Sequence, residues 1–275
     1  MLRDGSIKGV RNVAAEAGTN QSVERAATVL GAFLEGRAEL RVSDVAKHSG
    51  LGQSTASRLL ATLEQIAYVE RDPVSGLYRL GPALITLAGV AVNQHPVHRE
   101  ARQRAQDLAH DLGLGANVAE RRGDTMFYLC NFEGKLAPKS FVLMGQRNPL
   151  HATGIGKCLL LGVPDRRALL GDDLRRYTPN TPATHEELDR IVEQVRTQGY
   201  ATEVEELALG RACIAAPILD RTGEVVAGIS ISGPLSAMDL ERREEELARR
   251  VIEVADSISI GLGYLGPVHT PASRS

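Results

Sequence analysis

Two sets of residues in this 275-residue chain have the types and spacing to do chemistry. The first lies between positions 41 and 79. Gln53, Ser54, Thr55, Ser57 and Arg58 fall on one side of a segment whose apolar residues Ala56, Leu59, Leu60, Leu63 and Ile66 recur at helical spacing. Small hydroxyl-bearing side chains at a helix N-terminus let the backbone approach a duplex. There the hydroxyls meet phosphates or base edges, and the terminal N–H groups favour phosphate. Arg58 is the one basic residue of that helix and could reach guanine or phosphate. Arg41 is a further phosphate candidate, and Arg71 and Arg79 are candidates for backbone or minor-groove contact. A helical protein-interaction surface with the same residues merely solvated is the rival reading. Charge does not separate the two, because residues 1–82 carry ten Lys/Arg against nine Asp/Glu.

The second set lies between 154 and 232. Gly154-Ile155-Gly156-Lys157 looks like a phosphate loop, but a P-loop needs Gly at 151 and Ser or Thr at 158, where this chain has His151 and Cys158. The turn is better suited to presenting backbone N–H groups to a carboxylate. Ser230 and Ser232 alternate with Ile229 and Ile231, so both hydroxyls lie on one side of a strand, turned to a pocket or to solvent. Cys213 could be a nucleophile, yet no nearby residue marks a paired base, which favours a small buried core thiol. Glu203, Glu205 and Glu206 could pose as a catalytic pair, although acidic clusters are more often solvated or structural. There is no Gly-x-Ser-x-Gly elbow and no His-Glu-x-x-His spacing, and the seven histidines are scattered. The expectation is therefore no enzyme, no cofactor and no metal. A small-molecule sensor needs only apolar walls and a few convergent polar groups.

Periodicity indicates the elements that must position these groups. Residues 1–20, with Gly5, Gly9 and Gly18 and no sustained pattern, are expected to be a flexible arm. Ser22 is placed to cap a first helix with a stripe of Val23, Ala26, Ala27, Leu30, Phe33 and Leu34, ended by Gly36. Ser43 is placed to cap a short second helix that buries Val42, Val45 and Ala46, and Ser49-Gly50-Leu51-Gly52 turns the chain into the third. Strands at 68–71 and 77–80 around Asp72-Pro73-Val74-Ser75-Gly76 make a hairpin. Residues 21–81 thus describe a winged helix-turn-helix, mostly α with a β-hairpin wing, and Pro82 opens a linker helix, 82–96. Residues 97–264 read as α+β. A helix at 97–112 precedes strands at 115–121, 125–133 and 138–144; helices follow His151-Ala152-Thr153 and span 184–198. Strands at 212–219 and 225–232 flank the turn Asp220-Arg221-Thr222-Gly223, a charged helix spans 239–261, and residues 265–275 are a flexible tail.

Composition narrows the classes further. A net charge of −2 excludes the overall basicity of a histone-like binder, and 4% aromatic residues with no Trp disfavour a stacking platform for single strands. No apolar run approaches a membrane span, and MLRDGSIKGV lacks the apolar core of a signal peptide. Three cysteines without a CxxC spacing argue for reduced thiols in the cytoplasm rather than disulfides or zinc.

Several motifs together resemble one family. Gln21-Ser22-Val23-Glu24-Arg25-Ala26, the segment Leu51 to Leu63 and Tyr78-Arg79-Leu80-Gly81 are similar to the DNA-binding domain of the IclR family of bacterial transcriptional regulators. The segment Pro149 to Lys157, Gly199-Tyr200, Glu205-Glu206, the segment Gly210 to Pro217 and Ser230-Ile231-Ser232-Gly233-Pro234 are similar to its effector domain, so the match runs from about 21 to 262. The resemblance implies a ligand-responsive, sequence-specific regulator with a GAF-like α+β effector domain that holds a small organic acid. Carried over by motif, the acid's contacts are Gly154, Ile155, Glu203, Cys213, Ser230 and Ser232. Double-stranded operator DNA is the implied partner. A homo-oligomer, dimer or tetramer, is expected because one recognition helix covers only a half-site, and the apolar helix 83–91 is its candidate contact. The family often has Asp where this chain has Glu203, and larger apolar residues where it has Ala212, so small carboxylates and aromatic acids both stay open as ligands. The rival classes are an enzyme on a small acid with a fused nucleic-acid-binding arm, and an adaptor without a DNA target.

Overall fold

The computed structural model describes residues 20–35, 37–137 and 143–266. Its contacts divide the chain into two compact units, parting between Ala91 and Val92. The expected arm up to residue 19 and the tail beyond 266 lie outside the described residues, as does Gly36.

In the first unit, α1 (Gln21–Gly31) is capped by Asn20 rather than Ser22: the Asn20 side chain accepts from the Ser22 N–H at 3.1 Å. The helix tightens into a 3-10 turn, Ala32–Glu35. Its buried stripe is Val29, Ala32 and Phe33, whereas Val23 and Leu34 are exposed. The small Ala26 and Ala27 carry little burial energy, so the bulkier Val29 and Phe33 set the phase. The second helix, α2 (Val42–Ser49), starts before Ser43, which therefore caps nothing; Arg41 holds the cap position and its N–H donates to Asp44 Oδ2 at 3.2 Å. Left-handed Gly50 (φ 64°) ends α2.

The third helix, α3 (Gln53–Gln65), buries Ala56, Leu60 and Leu63 and half-buries Leu59. Ile66, expected in that stripe, is exposed, because the helix ends at Gln65 and Ala67 takes φ 57° to turn the chain away. β1 (Val69–Arg71) and β2 (Tyr78–Leu80) form the antiparallel hairpin with Val69 opposite Leu80. The Asp72 carboxylate accepts from the Val74 and Ser75 N–H groups and braces its loop. Gly81 lies so close to the Ala67 carbonyl that any side chain there would clash, which lets the hairpin close on the end of α3. Val29, Phe33, Val45, Leu60, Leu63 and Tyr78 form this unit's core. α4 (Pro82–Gln94) buries none of its residues and exposes Ile85, Leu87 and Val90.

The second unit opens with α5 (Pro96–Leu112), capped by His95, whose Nδ1 accepts from the His98 N–H and whose Nε2 lies 3.1 Å from Glu120. Six strands follow: β3 (Gly115–Arg122), β4 (Thr125–Phe132), β5 (Arg147–Pro149), β6 (Ala201–Val204), β7 (Arg211–Leu219) and β8 (Val225–Pro234). They form one antiparallel sheet in the order β5-β4-β3-β8-β7-β6. Of the strand expected at 138–144, residues 138–142 lie outside the described residues, and Leu143 and Met144 are not in a strand. The short β5 and β6 are unanticipated, since three or four residues carry no usable period-two signal.

The helices are α6 (Gly154–Leu159), α7 (Arg166–Leu170), α8 (His185–Gln198), α9 (Leu235–Met238) and α10 (Leu240–Gly261). Thr184 caps α8 and left-handed Gly199 ends it. One sheet face, with Ala116, Val118, Ile214, Ile229 and Ile231, packs on α5 and α10 through Ala105, Leu108, Leu247 and Val251. The opposite face meets α6 and α8 through Ala119, Tyr128, Ile155, Leu188 and Val192. A register shift between Val118 and Ala119 in the β3–β4 pair marks a bulge. The three cysteines are buried free thiols. Among the described residues, no helix is long and apolar enough to cross a membrane and no His/Cys/Asp/Glu group could hold a metal ion.

Candidate functional site

On the first unit, Gln53, Ser54, Ser57 and Arg58 are exposed along α3 and Thr55 is half-buried. Gly52 supplies no side-chain cap, so the N–H groups of the first turn keep their free donors. Among the described residues the Arg58 guanidinium has no hydrogen-bond or ion-pair partner. Arg41 is exposed at the start of α2. The hairpin arginines are differently occupied. Arg71 lies 5.6 Å over the Tyr78 ring, and Arg79 donates to Glu70 at 3.0 and 2.9 Å. An exposed pair of that kind is worth about 0–1 kcal/mol and opens readily to a phosphate.

On the second unit, strand register brings most of the remaining site residues onto one face. Ser232 lies opposite Gly115 on β3 and Cys213 on β7, and Cys213 lies opposite Glu203 on β6. One row along, Ser230 lies opposite Asn117, which lies opposite Asn131 on β4. Asn131 Nδ2 donates to Asn117 Oδ1 at 2.8 Å, and Asn117 Nδ2 donates to Ser232 Oγ at 3.3 Å. Ser230, Asn117, Cys213 and Glu203 are buried, so the face is a polar strip inside the unit and not a solvated surface.

The turn at 153–156 seats α6 on this strip. Thr153 caps the helix, accepting from the Gly156 N–H at 3.2 Å. A Cβ at Gly154 would press on the Cys213 sulfur at 2.7 Å, so the turn sits this close to β7 only because it has no side chain there. Ile155 packs over Gly228. Burial, with the Glu203 charge beside it, holds the Cys213 thiol well above the ordinary thiol range. At neutral pH it carries its proton and is no nucleophile.

The acidic cluster is internal rather than solvated. Glu203 Oε1 accepts from the N–H groups of Glu206 (2.6 Å) and Leu207 (3.2 Å). Burial raises the Glu203 carboxyl above the usual carboxylate range, and those N–H groups and Lys157 pull it partly back. Lys157 is 1% exposed and donates to Thr202 O at 3.0 Å and to Glu206 Oε1 at 2.5 Å. Burial raises Glu206 too, with Lys157 opposing, and its other oxygen, Oε2, has no partner among the described residues. Glu205 is a turn brace whose Oε1 accepts from the Gly210 N–H at 2.7 Å. One buried ammonium therefore serves two buried carboxyls.

Sequence reasoning missed Asn117, Asn131, Tyr128 and Arg211. Asn117 interrupts the apolar run Leu114 to Ala119 at a central-strand position, which is the signal that could have found it. Tyr128 is buried, accepts from Asn148 Nδ2 at 3.0 Å, and burial pushes its phenol up to about 12. Arg211 stands two residues before Cys213 and so on the same sheet face; it is half-buried. Its charge opposes the effect of burial on the Tyr128 phenol.

The sequence matches two family models: "Bacterial transcriptional regulator IclR C-terminal" over residues 89–260 and "IclR helix-turn-helix domain" over residues 22–73. It is 36% identical over 250 residues to the HTH-type transcriptional regulator XynR of Escherichia coli K12, covering 89% of this chain and 98% of that protein. It is 33% identical over 253 residues to the HTH-type transcriptional repressor AllR of Salmonella typhimurium, covering 90% of this chain and 92% of the repressor. Among solved structures, a regulator from Rhodococcus sp. RHA1 superposes with a TM-score of 0.81 at 28% identity, covering 89% of this chain and 98% of that one.

Proposed function

Because this chain belongs to the IclR family of bacterial transcriptional regulators, we propose that its DNA binding is switched by a small organic acid held on the polar strip of the second unit. That it is a DNA-binding, ligand-responsive regulator and not an enzyme follows from the family. The particular residues are our reading. α3 enters the major groove and presents Gln53, Ser54, Thr55, Ser57 and Arg58; Arg41 meets phosphate; the hairpin acts as a wing through Arg71 and Arg79. The acid is held by Ser230, Ser232, Cys213 and Glu203, with Gly154 and Ile155 as the wall above them. A GAF-like description of the second unit is supported by its antiparallel sheet with helices on both faces. The protein works in the cytoplasm as a homo-oligomer, with the exposed apolar residues of α4 as its contact.

The observation that carries the sensor reading is the burial of Ser230, Asn117, Cys213 and Glu203 on one sheet face. The test uses operator fragments selected from genomic DNA by the protein itself, and then calorimetric titration of small acids with and without operator. Ser232→Ala should lower affinity for the acid by about ten- to a hundred-fold and leave ligand-free DNA binding intact. Linkage requires the operator to change acid affinity by the factor by which the acid changes operator affinity. Unchanged acid affinity in Ser232→Ala and Ser230→Ala alike would remove the strip from the site.

A further inference from the structure

We infer that Arg211 holds the acid group of the effector, and that the effector also carries a hydroxyl, donated to Glu203: the ligand class is a small hydroxy acid. This rests on placing the effector on the polar strip, and it goes beyond that placement in naming a new contact and a chemical class.

Arg211 stands apart from the other half-buried arginines of its unit. Arg104 bonds Glu100 and Ser257, Arg166 bonds Asp189, Arg243 bonds Glu246, and Arg250 bonds Asp111. Among the described residues Arg211 has no hydrogen-bond or ion-pair partner, although it is as withdrawn from water as they are. A guanidinium withdrawn from water and left unpaired is costly, and a ligand anion is the partner that removes the cost. Its place on the sheet is right for that role, two residues along β7 from Cys213 and on the same face.

The strip itself is polarised. Asn131 donates to Asn117 and Asn117 donates to Ser232 Oγ, so the acceptor side of the Ser232 hydroxyl is occupied and its proton is left to point outward. That end offers donors, Arg211 and Ser232, to a carboxylate. Across Cys213, the row ends at Glu203, which offers an acceptor. The Lys157 ammonium is bonded to Thr202 and Glu206 and acts on the strip only through its charge, which favours the ionised Glu203. A simple aliphatic acid would satisfy the donors and leave Glu203 with only the backbone partners of its Oε1. A diol would satisfy Glu203 and leave Arg211 unpaired. A hydroxy acid satisfies both.

The test is calorimetric titration of the full chain with matched probes, D- and L-glycerate and lactate against propionate and 1,2-propanediol, in wild type, Arg211→Gln, Arg211→Lys, Glu203→Gln and Asn117→Ala. The hydroxy acids should bind about ten- to a hundred-fold more tightly than either partial probe. Arg211→Gln should remove the advantage over the diol, Arg211→Lys should restore part of it, and Glu203→Gln should narrow the advantage over propionate. Asn117→Ala should weaken the acids through the freed Ser232 hydroxyl. Without ligand, the unfolding midpoint of Arg211→Gln should equal or exceed that of wild type, because the unpaired guanidinium stabilises nothing there. Equal binding of glycerate and propionate, equal acid affinity in Arg211→Gln, or no binding of any hydroxy acid overturns the assignment. If a different acid then binds and Ser232→Ala weakens it, the effector site stands without Arg211. If an acid binds and neither serine matters, the site itself is misplaced.

Discussion

The two units handle polar groups in opposite ways. In the first, the candidate contact groups are at the surface: among the described residues Arg58 is exposed without a partner, and Arg79 is held only by an exposed carboxylate. In the second, Lys157, Glu203 and Asn117 are all buried, and each has a bond that fixes its direction. A surface that reads DNA needs charges whose desolvation is cheap and whose partner arrives later. A pocket that discriminates small molecules needs donors and acceptors fixed beforehand, because an unmet buried group penalises the wrong ligand.

The largest expected effect tests the buried side. Lys157→Ala leaves Glu206 and Glu203 in the interior without their cation, and should cost the second unit about 3–5 kcal/mol in chemical denaturation. Replacing Lys157 by Met and Glu206 by Leu together should recover most of that loss. A small loss in Lys157→Ala would mean that the pair is wetter than its burial indicates.

On the exposed side, Arg58→Ala should leave stability unchanged and weaken operator binding by about 1–3 kcal/mol if it reads a base. Fluorescence anisotropy on operator and random duplex at several salt concentrations measures this, and equal loss on both would assign Arg58 to phosphate.

A third contrast is in pH. Burial holds His151 below the ordinary imidazole value of 6.5, and burial first, then Arg102 and His95, does the same to His98. The folded second unit keeps these rings neutral while the unfolded chain protonates them. Their contribution is therefore full above about pH 6.5 and declines as pH falls below it. The raised Glu203 and Glu206 act in the opposite sense, gaining protons in the folded state before the unfolded one. His151→Gln isolates the imidazole: between pH 7 and 5 its denaturation midpoint should fall less than that of wild type. In the first unit Asp72 is lowered by the Ser75 and Val74 hydrogen bonds, so its contribution stays intact over that range and fades only below its ordinary value of 3.8.

The smallest effect lies on the hairpin. Glu70→Gln frees Arg79 and should raise affinity for all duplexes by a few-fold, about 0–1 kcal/mol, with a salt slope steeper by about one. No change would mean that Arg79 does not meet the backbone.

The same contrast governs what the sequence made legible. The helix-turn-helix and hairpin could be read because each element has a two-sided environment, so periodicity reports it; Ala56, Leu60 and Leu63 are buried as spaced. Caps were less legible, since Asn20, Ser22, Arg41 and Ser43 sit within two residues of each helix start and only geometry decides which one caps. In the second unit, Ser230 and Ser232 could be placed on one face by alternation, but Asn117 and Asn131 come from other strands. Their relevance depends on register, which brings residues 115 positions apart into hydrogen-bond contact (Asn117 and Ser232). Lys157 and Glu206 were opaque for the same reason: their contact joins a helix to a loop 49 positions along the chain.

The division of the large sheet into two faces bears on how such a protein diverges. On β3, β7 and β8 the residues facing α5 and α10, such as Val118, Ile214 and Ile231, alternate with those of the strip. A substitution at 117, 211, 230 or 232 changes what the strip offers without altering volume on the other side, so its effect on ligand choice is largely separate from the packing against α5 and α10. Descendants of one ancestral sheet can therefore come to answer different metabolites by small steps, each of which is still a folded protein.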